Sequence, residues 1–148
     1  MENIKIKIIE KDRILDIVPL IQQLNDQTPF ELLKERILEM IEQNYECAVM
    51  YDNEKLIGVC GIWYMTRHYI GKSMEVDHVI IDNTYRGQGL GRLFFDWIYK
   101  HAKSKGCEAS ELNTYTGNPK SHKFYYNEGY EIKGFHFLKV MREDGKFY

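Results

Sequence analysis

The feature that most constrains this chain is a change of rhythm near residue 82. Residues 73–82, SMEVDHVIID, are rich in β-branched residues and read as a strand. They run into RGQGLG at residues 86–91. From about residue 89 to 104 the pattern becomes helical, with Leu90, Phe94, Trp97 and His101 on one face and Leu93 and Ile98 widening it. Gly106 is a natural stop, and residues 107–113 read as another strand. A strand, a crossover helix and a second strand form a right-handed parallel unit, so the chain is expected to be α/β.

The turn in that unit is a chemical device as well as a link. A helix begins with four backbone N–H groups that lack helical partners, which suits a phosphate. Gly87, Gly89 and Gly91 allow a sharp turn and close approach of an anion, and Arg86 and Arg92 add positive charge nearby. The ligand this suits is a pyrophosphate with an organic arm lying along the preceding strand. A nucleoside-triphosphate loop of the form G-x-x-x-x-G-K-S/T does not fit, since neither the lysine nor the hydroxyl residue is present. The dinucleotide fingerprint G-x-G-x-x-G fits poorly too, because the spacing here is G-x-G-x-G, late in the chain. Taken alone, the glycines also fit a plain tight turn.

The first half reads differently. Residues 4–9 alternate at period two and suggest an opening strand. Asp12 is a candidate cap for a helix carrying Ile14, Ile17, Val18, Ile21 and Leu24, and Pro19 should kink or split it. A second helix is expected over residues 30–43, ending near Asn44. Residues 45–51 and 55–64 form a hairpin about the turn DNEK. Beyond the crossover unit, Asn118 and Pro119 open a short helix that Gly129 ends, and residues 130–141 supply one or two final strands. The expected fold is one α/β domain over residues 1–148, with a mixed sheet of six or seven strands and four helices.

Composition narrows the function. With 148 residues, 44 % hydrophobic and 14 % aromatic, the chain is long enough for one substantial core and is not a low-complexity polymer. A net charge of -2 gives no global case for nucleic-acid binding. The opening MENIKIKIIEKD lacks a long apolar stretch, and no run of about 18 apolar residues occurs, so no signal peptide or membrane span is expected and a cytoplasmic protein is. Cys47, Cys60 and Cys107 are widely spaced and read as buried thiols rather than a disulfide or zinc set.

From Glu75 to Gly134 the sequence resembles the core of the GNAT superfamily of N-acetyltransferases. That family carries Q/R-x-x-G-x-G/A after its fourth strand, matched by Arg86, Gly89 and Gly91. It often carries N-x-x-A-x-x-F/L-Y-x-x-x-G-F/Y on a later helix, resembled by NPKSHKFYYNEGY. There Asn118, Phe124, Tyr125, Gly129 and Tyr130 match, while Ser121 replaces the usual alanine. The resemblance implies acetyl-coenzyme A as donor and direct transfer in a ternary complex, with no metal. The backbone of Val79, Ile80 and Ile81 is then expected to pair with the pantetheine arm. Arg86, Gly87, Gln88, Gly89, Leu90, Gly91 and Arg92 would cradle the pyrophosphate, with Asn118 and Tyr125 completing the donor site. A bulge in the strand and a splay from its neighbour are implied as well.

Tyr125 occupies the family position of the acid that protonates the leaving thiolate. A phenol with a reference pKa of about 10 is protonated at neutral pH and can donate as that charge develops. An alkyl ammonium must lose a proton before it can attack, and the candidate acceptors are Glu75 and Asp77, directly or through water. Under strict strand alternation these two share a face and His78 points oppositely, unless a bulge intervenes. His78 and His122 are further candidates for substrate binding, together with Glu75 and Asp77. At a finer level LIQQLNDQTPF, ASELNT and SHKFYYNEGYEIKGFHFLK resemble the aminoalkylphosphonate acetyltransferases, where Arg67, His68, Lys120 or His122 would be drawn on for the anion. The expected acceptor is a small-molecule primary amine. A cationic polyamine or aminoglycoside, a protein or peptide amine, and a non-catalytic acyl-coenzyme A sensor remain alternatives. FHFLKVM is either a buried strand or the edge of a homodimer.

Overall fold

The computed structural model describes residues 3–148. The chain forms two compact units, one ending at Leu112 and the other running from Asn113 to Tyr148.

The first unit holds a five-stranded sheet in the order β1-β2-β3-β4-β5, formed by Ile4–Ile8, Tyr45–Asp52, Lys55–Arg67, Gly71–Ile81 and Ala109–Leu112. The first four strands are antiparallel neighbours, and β5 joins β4 in parallel. The sheet is therefore mixed with an antiparallel first half, as its sequence pattern implies. The DNEK turn is present, with Asn53 at φ 54°, a left-handed conformation that asparagine tolerates well.

Pro19 divides the first helical segment rather than bending it. A 3-10 helical stretch, Lys11–Ile17, precedes α1, Val18–Leu24, and the proline sits in the first turn of α1, where its missing N–H costs nothing. Asp12 does not cap this segment: its N-cap is Glu10, which makes no side-chain cap bond. The next helix, α2, spans Phe30–Met40 and stops short of Asn44. Ile14, Ile17, Ile21, Leu33 and Ile37 pack with Tyr45, Cys47, Val49, Val59 and Ile80 in one buried cluster on this side of the sheet.

On the other side lies α3, Leu90–Ser104. Leu90, Phe94, Phe95, Ile98 and Ala102 form its buried face. Phe95 replaces Trp97 and His101 in that role; those two stack on each other at 5.1 Å and remain half-buried. Leu93 is 44 % exposed. Gly58 makes room for this helix, since a Cβ there would stand 3.4 Å from the Phe94 ring and 2.9 Å from Ile81. Each of the buried large side chains contributes on the order of 1.5–3 kcal/mol.

The far end of α3 is tied to the sheet through Glu46. Its carboxylate accepts from the Tyr64 hydroxyl, from His101 Nε2 at 2.5 Å and from Lys105 Nζ at 2.9 Å. Burial pushes this carboxyl up, but the bonds from Tyr64, Lys105 and His101 outweigh it and hold the group below its ordinary value.

The second unit contains α4, Pro119–Asn127, followed by residues 129–148 without regular secondary structure. The one or two strands expected over residues 130–141 are not formed, and the sheet has five strands rather than six or seven. Ile132, Phe135, Phe137 and Met141 in this stretch are exposed.

Glu46→Gln removes the negative charge that Tyr64, His101 and Lys105 converge on. At pH 7 the melting temperature should fall by about 5 °C, the scale expected from losing charged hydrogen bonds in a domain of this size. A depressed carboxyl contributes stability above its unfolded value and loses it as pH falls through the folded one. The difference between wild type and variant should therefore shrink on acidification below about pH 4. Thermal melts at both pH values check this, and a gap that stays constant would remove the charge as its source.

Candidate active site

Strand β4 breaks its own alternation at the residues of interest. Cys60 stands opposite Val79 and Ile62 opposite Val76, so Asp77 and His78 together oppose Gly61 alone. This is a bulge, with one extra residue on β4. Val76 and Val79 both keep to the side covered by α3, opposite Ile62 and Cys60. Asp77 and His78 both turn to the side of α1 and α2. Trp63 Nε1 donates to Asp77 Oδ2 at 3.1 Å, and His78 lies directly over Gly61 with Nε2 2.7 Å from the Tyr45 hydroxyl. Glu75, paired with Trp63, belongs to the same face. The bulge thus brings His78 to the face of Glu75 and Asp77, which strict alternation denies it.

Further along this face Arg67 joins three strands. Its Nη2 is 3.4 Å from Glu75 Oε2, and its Nε is 3.3 Å from Glu111 Oε2. Glu111 also accepts from Ser73 Oγ at 2.6 Å and from the Tyr69 hydroxyl at 2.9 Å. Burial raises the Glu111 carboxyl, but Ser73, Tyr69 and Arg67 together leave it lowered. Glu75 therefore has a guanidinium beside it. Asp77 has the neutral indole of Trp63. The sequence offers Arg67 as a partner for a substrate anion; its meeting with Glu75 and Glu111 across β3, β4 and β5 follows from register, which a single sequence does not print.

Pairing between β4 and β5 runs from Ser73 with Ala109 to Val76 with Leu112 and ends there, while β4 continues to Ile81. Beyond Val76 no strand pairs with this edge of β4 among the described residues. The backbone of Val79, Ile80 and Ile81 lies in that stretch.

The glycine turn follows directly. Asp82 caps a 3-10 turn, Asn83–Tyr85, by accepting from Thr84 N at 2.9 Å, and Arg86 Nε donates to the Ile81 carbonyl at 3.3 Å. Gly87 and Gly89 both have φ 76°, a left-handed conformation strained for other residues, and a Cβ on either would meet nothing within 4 Å. Glycine is thus present for its backbone freedom and not to avoid a clash. Gly89 is the N-cap of α3 and supplies no side-chain cap. The first bond into the helix is from Leu93 N to the Gly89 carbonyl, which leaves the amides of Leu90, Gly91 and Arg92 ahead of it. Arg86, Gly87, Gln88, Gly89 and Arg92 are exposed. Open glycines, uncapped amides and two arginines fit a pyrophosphate.

In the second unit Asn118 caps α4, its Oδ1 accepting from Ser121 N at 3.3 Å. Tyr125 is half-buried with its ring edge-on to those of Phe124 and Tyr130, whereas Tyr126 is 56 % exposed. Gly129 at φ 93° ends the helix, and Tyr130 N returns to the Tyr125 carbonyl at 3.0 Å. His122 Nε2 is 2.8 Å from the Tyr115 carbonyl, so that nitrogen is engaged within this unit.

Sequence reasoning overlooks Trp63, Tyr45 and Gly61. Trp63 and Tyr45 carry no motif and look like core aromatics. Among the described residues no group of three or more His, Cys, Asp or Glu is arranged to hold a metal ion, and no helix is long and apolar enough to cross a membrane.

Comparison with known proteins agrees with this geometry. The model of the acetyltransferase (GNAT) family matches residues 14–130. An aminoalkylphosphonate N-acetyltransferase of Salmonella typhimurium is 24 % identical over 103 residues, 69 % of this chain and 67 % of that protein. Among solved structures, an aminoglycoside N-acetyltransferase in complex with coenzyme A superposes with a TM-score of 0.81 at 14 % identity, covering 94 % of this chain and 95 % of that one. A ribosomal-protein-alanine N-acetyltransferase from Brucella melitensis gives 0.79 at 14 % identity, covering 94 % and 99 %. These structures share the fold with this chain while their names point to different acceptors.

Gly89→Ala forces a side chain into the left-handed region at the head of α3, at a cost of about 1–2 kcal/mol. Affinity for acetyl-coenzyme A, measured by calorimetry on protein of confirmed fold, should drop about tenfold as the amides are re-aimed. Unchanged affinity would separate the turn from the phosphates.

Proposed function

We propose, from the premise that this chain belongs to the acetyltransferase (GNAT) family and is an acyltransferase using acetyl-coenzyme A, that it acetylates the primary amine of a small molecule by direct transfer. The observation that carries this reading is the course of β4. The strand presents Asp77 at a bulge, continues without a strand neighbour on its β5 side among the described residues, and ends in a glycine turn whose helix start has no side-chain cap.

When bound, acetyl-coenzyme A supplies an activated acyl carbon and a sulfur leaving group. The leading amides of α3, those of Leu90, Gly91 and Arg92, would hold its pyrophosphate together with Arg86, and the backbone of Val79 to Ile81 would align its arm. Asp77 accepts the proton that the acceptor ammonium must lose before its nitrogen can attack, directly or through one water. Asp77 is preferred to Glu75 because the charge of Glu75 is already answered by Arg67. Tyr125 gives its phenolic proton to the sulfur as the carbon–sulfur bond breaks, and the second proton shed by the newly acylated nitrogen restores the phenol. No covalent enzyme intermediate is needed, and the buried thiols suit none: burial pushes Cys47 up to about 12 and raises Cys60 well above its ordinary value.

The acceptor side of the sheet carries Glu75, Asp77 and Glu111 beside the guanidinium of Arg67. That balance supports a cationic amine, such as a polyamine or aminoglycoside. The Salmonella relative supports an aminoalkylphosphonate instead, for which Arg67 would have to give up one of its carboxylates. A panel of polyamines, aminoglycosides, aminoalkylphosphonates and peptides, scored by thiol release, decides between them. Turnover confined to peptides would overturn the small-molecule reading.

Asp77→Asn should lower kcat by about 100-fold and remove the limb of the pH profile that reports the base, while Glu75→Gln keeps that limb. Wild-type behaviour of the asparagine variant would exclude Asp77. Tyr125→Phe keeps the ring and deletes the proton donor, so kcat should fall about tenfold or more with little change in acetyl-coenzyme A affinity. Equal turnover would remove Tyr125 as the acid.

A further inference from the structure

The bulge in β4 is held from two neighbouring strands, and one of its holds serves no step of the proposed reaction. Trp63 on β3 fixes Asp77, and Tyr45 on β2 fixes His78, with the Tyr45 and Trp63 rings themselves in contact at 5.0 Å. Tyr45 is only 5 % exposed and belongs to the buried cluster beneath α1 and α2. The His78 ring occupies space that only glycine leaves open: a Cβ at Gly61 would overlap Nε2 and stand 2.7 Å from Cδ2. Nδ1 of His78 is shut off from solvent and has no hydrogen-bond partner. An unpaired buried nitrogen is costly, so a ring in this place is there because something else requires it.

What it provides is register. If the extra residue of β4 were absorbed, residues 78–81 would slip by one and exchange faces. Ile80 would leave the cluster it shares with Val59 and Tyr45, and the backbone of Val79 to Ile81 would present a different set of amides along its open edge. His78 cannot make that move without breaking its bond to Tyr45 and vacating the space over Gly61.

We propose that Tyr45, Gly61 and His78 form a register lock that keeps the bulge at Asp77–His78, and that His78 is thereby a positioning residue for Asp77 and for the strand edge along which the donor lies. The part concerning Asp77 rests on the reading of that carboxylate as the base. The part concerning the strand does not.

The experiment compares Tyr45→Phe, Gly61→Ala, His78→Leu and His78→Gln with wild type, in steady-state kinetics and in amide hydrogen exchange of residues 76–82. Glutamine reaches about as far as Nε2 and keeps a partner for the Tyr45 hydroxyl; leucine keeps bulk without one. Loss of the lock should speed exchange at Val79–Ile81 and lower kcat, each about tenfold, in Tyr45→Phe, Gly61→Ala and His78→Leu. His78→Gln should return both to within about threefold of wild type. A folded His78→Leu protein with wild-type exchange and kcat overturns the lock. So does a His78→Gln protein with normal exchange but the low kcat of His78→Leu, since His78 would then act by its own proton chemistry. If Asp77→Asn is fully active while Tyr45→Phe still loosens Val79–Ile81, the base assignment fails and the lock stands.

Discussion

One extra residue in β4 organises the rest of the molecule's chemistry. Because Asp77 and His78 share a single partner, Gly61, the strand delivers polar groups to one face before the bulge and resumes its apolar duty on both faces after it. Without that offset, Ile80 could not reach the cluster under α1 and α2 while Val76 and Val79 both serve the side of α3. The bulge satisfies the demands of two cores and a reactive face with one irregularity. Its stability comes from outside the strand, from an indole on β3 and a phenol on β2. Burial raises the Tyr45 phenol well above its ordinary value, and it pushes the His78 imidazole down against the pull of Asp77. Both partners of that bond are thus held neutral, which suits a contact made in the interior.

The charges are divided between the two faces of the sheet. Arg67 gathers Glu75 and Glu111 toward one end of β4, and Glu46 gathers Tyr64, His101 and Lys105 beneath the end of α3. Asp77 belongs to neither group and has a neutral donor. For the base proposed above, such a neighbour is better suited than a guanidinium.

Much of this was legible in the sequence, for reasons that can be stated. The glycine turn, the helix after it and the parallel strand beyond are local patterns, and local patterns survive folding. The DNEK hairpin and the break at Pro19 are legible for the same reason, since asparagine and proline act on their own backbone. The choice of Phe95 over Trp97 for the buried face was not legible, because both are large and apolar and the sheet beneath decides. The bulge was expected only from family resemblance; alternation alone puts His78 on the wrong face. Arg67 meeting Glu75 and Glu111 depends on pairing across 44 residues of sequence at its longest reach. The strands read into residues 130–141 show the opposite failure, since the apolar pattern of FHFLKVM is present without the pairing it normally accompanies.

The uncapped start of α3 has a thermodynamic meaning. At its far end the helix is well provided, with His101 and Lys103 in the last turn. At Gly89 the aligned peptide dipoles meet no side-chain oxygen. The protein alone therefore carries an electrostatic demand at one pole of its longest helix, of the sign that the pyrophosphate proposed to lie there would answer. On that proposal donor and fold are linked: occupancy should raise the free energy of unfolding by RT ln(1 + [L]/Kd), through a helix terminus that the sequence leaves without a side-chain cap.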